Sequence, residues 1–334
     1  MHEVFFSGTG SLLPERVLTN QELERMVDTS DEWITQRTGI RERRVIDKNE
    51  STSDIAAAAA RNALSDAGIS PEDLDCIILG TVTPDTYCPA GAVYVQKKLG
   101  ASRAFAFDVN AACTGFIYAA AVGSAFVRSG MHQHVLVIGA EALSRVVDYT
   151  DRNSCILFGD GAGAAVLSRA PAAGGDAGSR ASRIIDCWLR SDGNGHDLIE
   201  IPAGGSRSPA SAETVAAKAH CLRLKGKEVF KFATKAMIEL IETTVARNGI
   251  KTSDLDLIIP HQVNYRIIEA AQRKLEIPQE KIYLNLDRYG NTSAASIPIA
   301  LDEAARGGRL RRGDLVLLVA FGAGLTWGYN LVRW

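Results

Sequence analysis

Gly68-Ile-Ser-Pro-Glu-Asp-Leu-Asp-Cys-Ile-Ile-Leu-Gly80 reads as a turn running into a buried strand, and the chain repeats the phrase as Gly249-Ile-Lys-Thr-Ser-Asp-Leu-Asp-Leu-Ile-Ile-Pro-His261. The offset is 181 residues (249 minus 68), and a stretch of helical periodicity precedes each copy. Val135-Leu-Val-Ile138 answers Val316-Leu-Leu-Val319 at the same offset (316 minus 135). Leu99-Gly100 likewise answers Leu275-Glu276, and the strand carrying Asp108 is expected to answer Leu284-Asn-Leu-Asp287. A repeat of half the chain implies two similar α/β units related by a pseudo-twofold axis, not a solenoid. The expected division is residues 1–172 and 173–334, with the Ala-, Gly- and Ser-rich stretch from Pro171 to Ser182 as the linker.

The composition sets the class. With 334 residues, 46% of them hydrophobic, the chain can bury one large core or two ordinary ones. A net charge of −2 gives no global attraction to nucleic acid or to a membrane surface. No apolar run reaches the ~18 residues of a membrane span, and the opening Met-His-Glu-Val-Phe-Phe-Ser-Gly-Thr-Gly lacks a basic n-region. The expectation is a cytoplasmic chain. Its six cysteines (76, 88, 113, 155, 187 and 221) form no CxxC, so reduced thiols are expected and neither a disulfide framework nor a zinc site is indicated.

One cysteine stands apart. In Phe105-Ala-Phe-Asp-Val-Asn-Ala-Ala-Cys113-Thr-Gly-Phe, the thiol sits where an apolar strand turns into a helix. Unsatisfied N–H groups and the positive helix end there favour a thiolate, the reactive form. On the repeat, Cys113 falls near Asn291-Thr292, and His261 ends the strand that matches Cys76–Gly80. Equivalent strand ends of two packed halves converge at the pseudo-dyad, and ligands of α/β sheets bind outside carboxyl strand ends. Cys113, His261 and Asn291 are therefore expected to be neighbours. Thr29 with Glu32 matches a capping box, and Trp33 and Arg37 share a helix face suited to a flat heterocycle and a phosphate, or equally to core packing with a surface arginine. The glycine-rich Gly159-Asp-Gly-Ala-Gly163 leads into a strand, which fits close backbone packing better than nucleotide binding.

Across nearly its whole length the sequence resembles the thiolase superfamily, and most closely the β-ketoacyl-acyl-carrier-protein synthase III group. The resemblance rests on Trp33 with Arg37, Ala111-Ala-Cys113, Gly159–Gly163, Pro260-His-Gln-Val-Asn264, Gly290-Asn-Thr-Ser-Ala-Ala-Ser296 and Phe321-Gly-Ala-Gly324 taken together. It implies a thiolase-like α/β fold layered α-β-α-β-α, a homodimer, and a decarboxylative condensation of an acyl-CoA primer with malonyl carrier protein that initiates fatty acid synthesis. It implies Cys113 as acyl carrier, His261 and Asn291 as donors to the enolate, and the N–H groups of Cys113 and Ala323 as the oxyanion site. By the same resemblance Trp33 and Arg152 flank the CoA adenine, Thr29 and Arg37 lie near the nucleotide, and Asn264 lies near the pantetheine arm or the active-site water. Cys88, Phe158 and Phe321 would line the acyl pocket; Lys231, Arg266, Arg273 and Lys274 would form a basic rim for the acidic carrier protein. CoA thioesters enter as substrates, with no cofactor or metal implied.

Two departures carry expectations of their own. Where relatives with short primers carry a bulky aromatic that reaches across the dimer, this chain has Cys88, which implies a deeper pocket and a primer longer than acetyl. The Gly204–Ala212 stretch is longer than in compact members and bears on the shape of the entrance. A thiolase proper would need a second cysteine near the C-terminus, and Phe321-Gly-Ala-Gly-Leu-Thr-Trp327 has none. The remaining alternatives are a condensing enzyme for a polyketide or quinolone-type product, a non-catalytic acyl-CoA binder, and a cysteine hydrolase.

Overall fold

The computed structural model describes residues 1–169 and 182–334. The first half supplies strands β1 (Val4–Leu12), β2 (Cys76–Gly80), β3 (Phe105–Val109), β4 (His134–Glu141) and β5 (Gly161–Arg169), with helices α1 (Asp31–Thr38), α2 (Thr52–Ala67), α3 (Gly91–Leu99) and α4 (Gly115–Arg128). The second supplies β6 (Ser182–Ser191), β7 (Leu257–Pro260), β8 (Leu315–Gly322) and β9 (Thr326–Arg333), with α5 (Gly226–Asn248), α6 (Tyr265–Lys274) and α7 (Ser296–Arg306). The linker and the boundary between residues 172 and 173 lie outside the described residues, apart from Ser182, which begins β6.

Strand order is β3-β2-β4-β5-β1 in one half and β7-β8-β9-β6 in the other, and the halves join where β1 meets β6 at Phe5–Arg183 and Phe6–Ser182. The repeat survives down to register. Cys76 faces Val135 across the parallel pair β2/β4, and Leu257 faces Val316 across β7/β8, each residue displaced by 181 (257 minus 76, 316 minus 135). One expected match fails. Leu284–Asp287 forms no strand: Leu286–Tyr289 is a short helix, and the counterpart of β3 shrinks to a single parallel bridge between Ile258 and Ile282. Pro278 and the turn Gln279–Lys281 before it leave too little extended chain for a ladder.

Strand alternation sorts the side chains into three helical layers. Cys76, Ile78, Leu257 and Ile259 point inward to the central helices, where they meet Phe116 and Ala120 of α4 and Ile297 and Leu301 of α7. Ile77 and Leu79 point the other way, onto Ile55, Ala59 and Ala63 of α2 and Val95 of α3. Ile258 and Leu317 do the same beneath Met237 and Leu240 of α5 and Ile268 of α6. The result is a thiolase-like α-β-α-β-α stack in which α4 and α7 both start at the pseudo-dyad.

That meeting is tight. A Cβ on Gly139 of β4 would fall on the carbonyl oxygen of Ala294, just before α7. Gly139→Ala is expected to cost about 3 kcal/mol in chemical denaturation through overpacking. Gly193→Ala, where nothing lies within 4 Å of the new methyl, should stay within about 0.5 kcal/mol of the parent.

Candidate active site

Between β3 and α4 the chain makes one 3₁₀ turn, Ala112–Thr114, and before α7 it makes the same turn, Ser293–Ala295. The backbones agree closely: Ala112 has φ +47° and Ser293, 181 residues on (293 minus 112), has φ +48°, both in the left-handed region rarely adopted by residues other than glycine. The structural counterpart of Cys113 is thus Ala294 rather than Asn291-Thr292, and Asn291 matches Asn110. Gly322, ending β8, lies against Cys113: a Cβ there would stand 2.8 Å from the Cys113 Cβ and 3.2 Å from its Sγ. Thr114 and Thr326 tie the two loops together through their hydroxyls at 2.7 Å, and Thr326 Oγ1 also donates to the Ala323 carbonyl at 2.9 Å.

His261 follows directly on β7. Its N–H donates to the Val319 carbonyl at 2.8 Å, and its Nδ1 is paired with the Ser296 hydroxyl at 2.7 Å. Nε2 is buried and has no partner. The ring is fully buried, edge-on to Phe321 at 5.9 Å, and burial pushes its pKa down to about 3. Ser296 is the first residue of α7, so the positive helix end also disfavours an imidazolium there. Asn291 is clamped by backbone bonds to the Leu157 carbonyl (2.8 Å) and from the Gly159 N–H (3.0 Å). Its Oδ1 accepts from the Ser293 N–H at 2.8 Å, which leaves the amide NH₂ as the free end. The clamp is itself anchored by the fully buried Arg43, which donates to the Ile156 carbonyl at 2.7 Å.

Cys113, His261, Asn291, Phe158, Phe321 and Ala323 line one cavity of about 1140 Å³. The expected thiolate is not the resting form: burial pushes the Cys113 thiol up to about 12, against weaker opposing effects from the Ser293 hydroxyl and its own N–H. The helix end is real, but desolvation outweighs it. Behind the turn lies a carboxyl that the sequence reading did not place in the site. Glu141, fully buried at the end of β4, accepts from Thr83 Oγ1 (2.6 Å), Thr81 Oγ1 (3.2 Å), the Val82 N–H (3.1 Å) and Ser293 Oγ (3.1 Å). Burial raises its pKa to about 7. The available signal was an acidic residue closing a run of buried apolar ones, at the position where the other half has Gly322.

At the mouth, Ile34 and Thr38 bury one face of α1 and Trp33 and Arg37 take the other. The Trp33 ring sits 5.4 Å from the Arg37 guanidinium and 5.1 Å from that of Arg152, which is held by the Asp28 carbonyl at 2.8 Å. The helix cap is Ser30, whose hydroxyl accepts from the Trp33 N–H at 3.1 Å, not the expected Thr29 with Glu32; Thr29 lies one residue outside and does not line the cavity. Asn264 lines the wall but its amide is engaged at both ends, capping α6 at the Arg266 N–H (2.9 Å) and donating to the Arg37 carbonyl (3.1 Å). Cys88 is exposed and absent from the walls of its own chain's cavity, which Tyr87 lines instead. Ile199, Ile201 and Ala203, with Gly205 of the Gly204–Ala212 stretch, line the cavity together with Leu222 and Leu224, and Ile199 pairs with Leu224 in a short antiparallel ladder. Lys231, Arg266, Arg273 and Lys274 are all exposed, yet only Arg266 reaches the mouth, and Arg273 pairs with Glu269 at 2.6 Å. The glycine-rich Gly159–Gly163 turn binds within the protein, with Asp160 accepting from the N–H groups of Ile46 (2.9 Å) and Ser144 (2.8 Å). Among the described residues no cluster of three or more His, Cys, Asp or Glu is arranged to hold a metal, and no helix is long and apolar enough to cross a membrane.

The family profile of 3-oxoacyl-[acyl-carrier-protein (ACP)] synthase III matches residues 107–193 and that of its C-terminal part matches residues 245–334. Fold and profile together define a condensing acyltransferase of the thiolase type. The chain is 54% identical over 327 residues to a β-ketoacyl-[acyl-carrier-protein] synthase III of Caldanaerobacter subterraneus, covering 98% of this chain and 96% of the other. Among solved structures it is similar to 3-oxoacyl-[acyl-carrier-protein] synthase III from Aquifex aeolicus, with 46% identity, TM-score 0.89 and coverage of 99% and 100%. It is also similar to the priming β-ketosynthase of the R1128 polyketide pathway, with 32% identity, TM-score 0.88 and coverage of 99% and 96%. The chain belongs to the β-ketoacyl-[acyl-carrier-protein] synthase III family.

The buried, helix-capped setting of His261 has a direct spectroscopic consequence. In carbon-13 histidine spectra its ring is expected to keep neutral-form shifts down to about pH 5, whereas an exposed histidine titrates near 6.5. A midpoint near 6.5 for His261 would contradict the desolvated ring.

Proposed function

We propose that this chain condenses an acyl-CoA primer with malonyl-acyl-carrier protein to give 3-ketoacyl-acyl-carrier protein, the initiating step of fatty acid synthesis, through an acyl-Cys113 intermediate. The observation that carries the reading is the convergence of the Cys113 thiol, the unpartnered Nε2 of a neutral His261 and the free amide end of Asn291 on one cavity. Cys113 Sγ attacks the primer thioester, the tetrahedral oxyanion accepts from the N–H groups of Cys113 and Ala323, and CoA thiolate leaves. Malonyl carrier protein then loses CO₂. The enolate oxygen that develops is met by Nε2–H of His261, with the Ser296 hydroxyl donating to Nδ1, and by the Asn291 amide; neither donor changes charge. The nucleophilic carbon attacks acyl-Cys113 and releases the 3-ketoacyl product and the thiolate.

Trp33, Arg37 and Arg152 supply a flat face and two cations for the CoA nucleotide, with Thr29 behind them and Asn264 shaping the pantetheine channel. Phe158 and Phe321 wall the acyl end. Arg266, which lines the cavity, is the first of the four basic residues to act on an acidic carrier protein, with Lys231 on α5 and Arg273 and Lys274 further along α6 completing the rim. The protein acts as a homodimer, and Cys88, exposed on one copy, belongs to the acyl pocket of the other. The likeness to the R1128 priming ketosynthase favours a second reading, a starter condensation for a polyketide, which a panel of starter and extender thioesters separates from the first.

Intact-mass measurement across an acyl-CoA series should show a single acyl adduct that is lost in Cys113→Ala. His261→Ala and Asn291→Ala should still acylate while their condensation rates fall about 10²–10³-fold, the usual cost of an oxyanion donor. Acylation that persists in Cys113→Ala would overturn the assignment. In primer competition, butyryl- to decanoyl-CoA should outcompete acetyl-CoA because Cys88 leaves room that a bulky aromatic would fill; strong preference for acetyl would refute that pocket depth.

A further inference from the structure

A second cavity, of about 250 Å³, opens beside the short ladder that pairs Arg16–Thr19 with Glu42–Val45. None of its residues lines the large cavity, so it is no part of the site described above. The two share a wall. The 3₁₀ turn Leu143–Arg145 gives Leu143 to the large cavity and Ser144 and Arg145 to the small one, and Leu18, Val45, Leu143 and Phe158 belong to a single apolar cluster.

The lining of the small cavity divides by chemistry. Leu18, Val45 and Ile46 are buried and Met26 is half-exposed, which makes one part of it aliphatic. The other part carries Arg16, Lys48 and Arg145, all exposed, and the half-buried Tyr149. Among the described residues no carboxylate lies within ion-pair distance of any of the three cations. Arg145 is fixed by the Asp47 and Glu50 carbonyls at 2.7 and 3.2 Å, contacts that leave its charge unneutralised. The acid behind Ser144 is already engaged: Asp160 accepts from the Ser144 N–H (2.8 Å), the Ser144 hydroxyl (2.6 Å) and the Ile46 N–H (2.9 Å). Burial pushes the Tyr149 phenol up to about 12, so it remains a neutral O–H donor.

We propose that this cavity binds a short aliphatic chain ending in an anion, a carboxylate or a phosphate monoester, with the anion on Arg16, Lys48 and Tyr149 and the chain against Leu18, Val45 and Met26. Three features select that chemistry. Unneutralised cations beside a phenol donor favour a head group that only accepts hydrogen bonds, and they repel an ammonium. Aliphatic walls favour methylenes over a second polar group. The volume lies just under the range of ~300–1,000 Å³ that holds drug-sized ligands, so the chain is short and a CoA thioester does not fit.

The test is methyl NMR on the full-length protein labelled with [methyl-¹³C]methionine. The chain has four methionines, of which Met26 lines this cavity and none lines the large one. Hexanoate at pH 7 should move the Met26 signal, identified by its loss in Met26→Leu, along a saturable curve, and leave the signals of Met1 and Met131 in place. From acetate through butyrate to hexanoate, affinity should rise by up to about fourfold per methylene. Hexyl phosphate is the second arm, and whichever of the two binds more tightly names the head group. Hexanol, which keeps the tail, and inorganic phosphate, which keeps the charge, should each bind at least about tenfold more weakly. The double variant Arg16→Gln/Lys48→Gln should weaken hexanoate about 10–100-fold and leave acylation by octanoyl-CoA unchanged; Tyr149→Phe should weaken hexanoate by a smaller factor. A Met26 signal unmoved by both hexanoate and hexyl phosphate would overturn the proposal. So would hexanol or inorganic phosphate matching hexanoate, or a Met26 shift that survives the double variant at full affinity.

Discussion

The structure depends on two helices starting at the same place. α4 and α7 run into the pseudo-dyad from opposite halves, and their first turns abut strand ends with no space for a side chain at Gly139 or Gly322. Everything in the site follows from that contact. It brings the residue after β7, the turn before α7 and the turn before α4 to a single cavity, and it directs two positive helix ends at one point. It also removes water, which is why neither His261 nor Cys113 carries a charge at rest.

A site built from neutral groups has a particular chemical aptitude. Donors that hold no net charge can meet an anion that forms and disappears within one turnover without binding either product too tightly. Arg43 illustrates the opposite solution. It is fully buried and cationic, but it is spent on the carbonyls of Leu18 and Ile156 and on Asn20, away from the cavity, where a permanent charge serves architecture. Charge in this protein is kept behind the reacting centre and at its mouth.

Much of this was legible in the sequence because the repeat is a register as well as a motif. An offset of 181 between Gly68 and Gly249 carries through to the strand pairings Cys76/Val135 and Leu257/Val316, and thence to the placement of His261 and Cys113 on the walls of one cavity. The misreadings came from features that pattern does not encode. Ser30 displaced Thr29 as the cap of α1 because the choice between adjacent hydroxyl residues is settled by where the chain turns. The Leu284–Asp287 strand failed because half a repeat can lose an edge strand without losing its core. The thiol's protonation was misjudged because a helix end is visible in sequence and the depth of burial is not. Glu141 went unassigned for a related reason: its partners Thr81, Thr83 and Ser293 come from segments far apart in the chain.

The paired turns at Ala112 and Ser293 have one more implication. Since the backbone at the two positions is the same, what distinguishes the halves is side-chain substitution at matched sites: Cys113 against Ala294, His261 against Gly80, Ser293 against Ala112. In each pair one copy carries a polar or ionisable side chain and the other is trimmed to a hydrogen or a methyl. A duplicated ancestor with identical halves would have crowded six such groups into the space that now holds three. Functional asymmetry and steric fit at the dyad are therefore the same requirement, and a variant that restores symmetry at any of these pairs must give up one to regain the other.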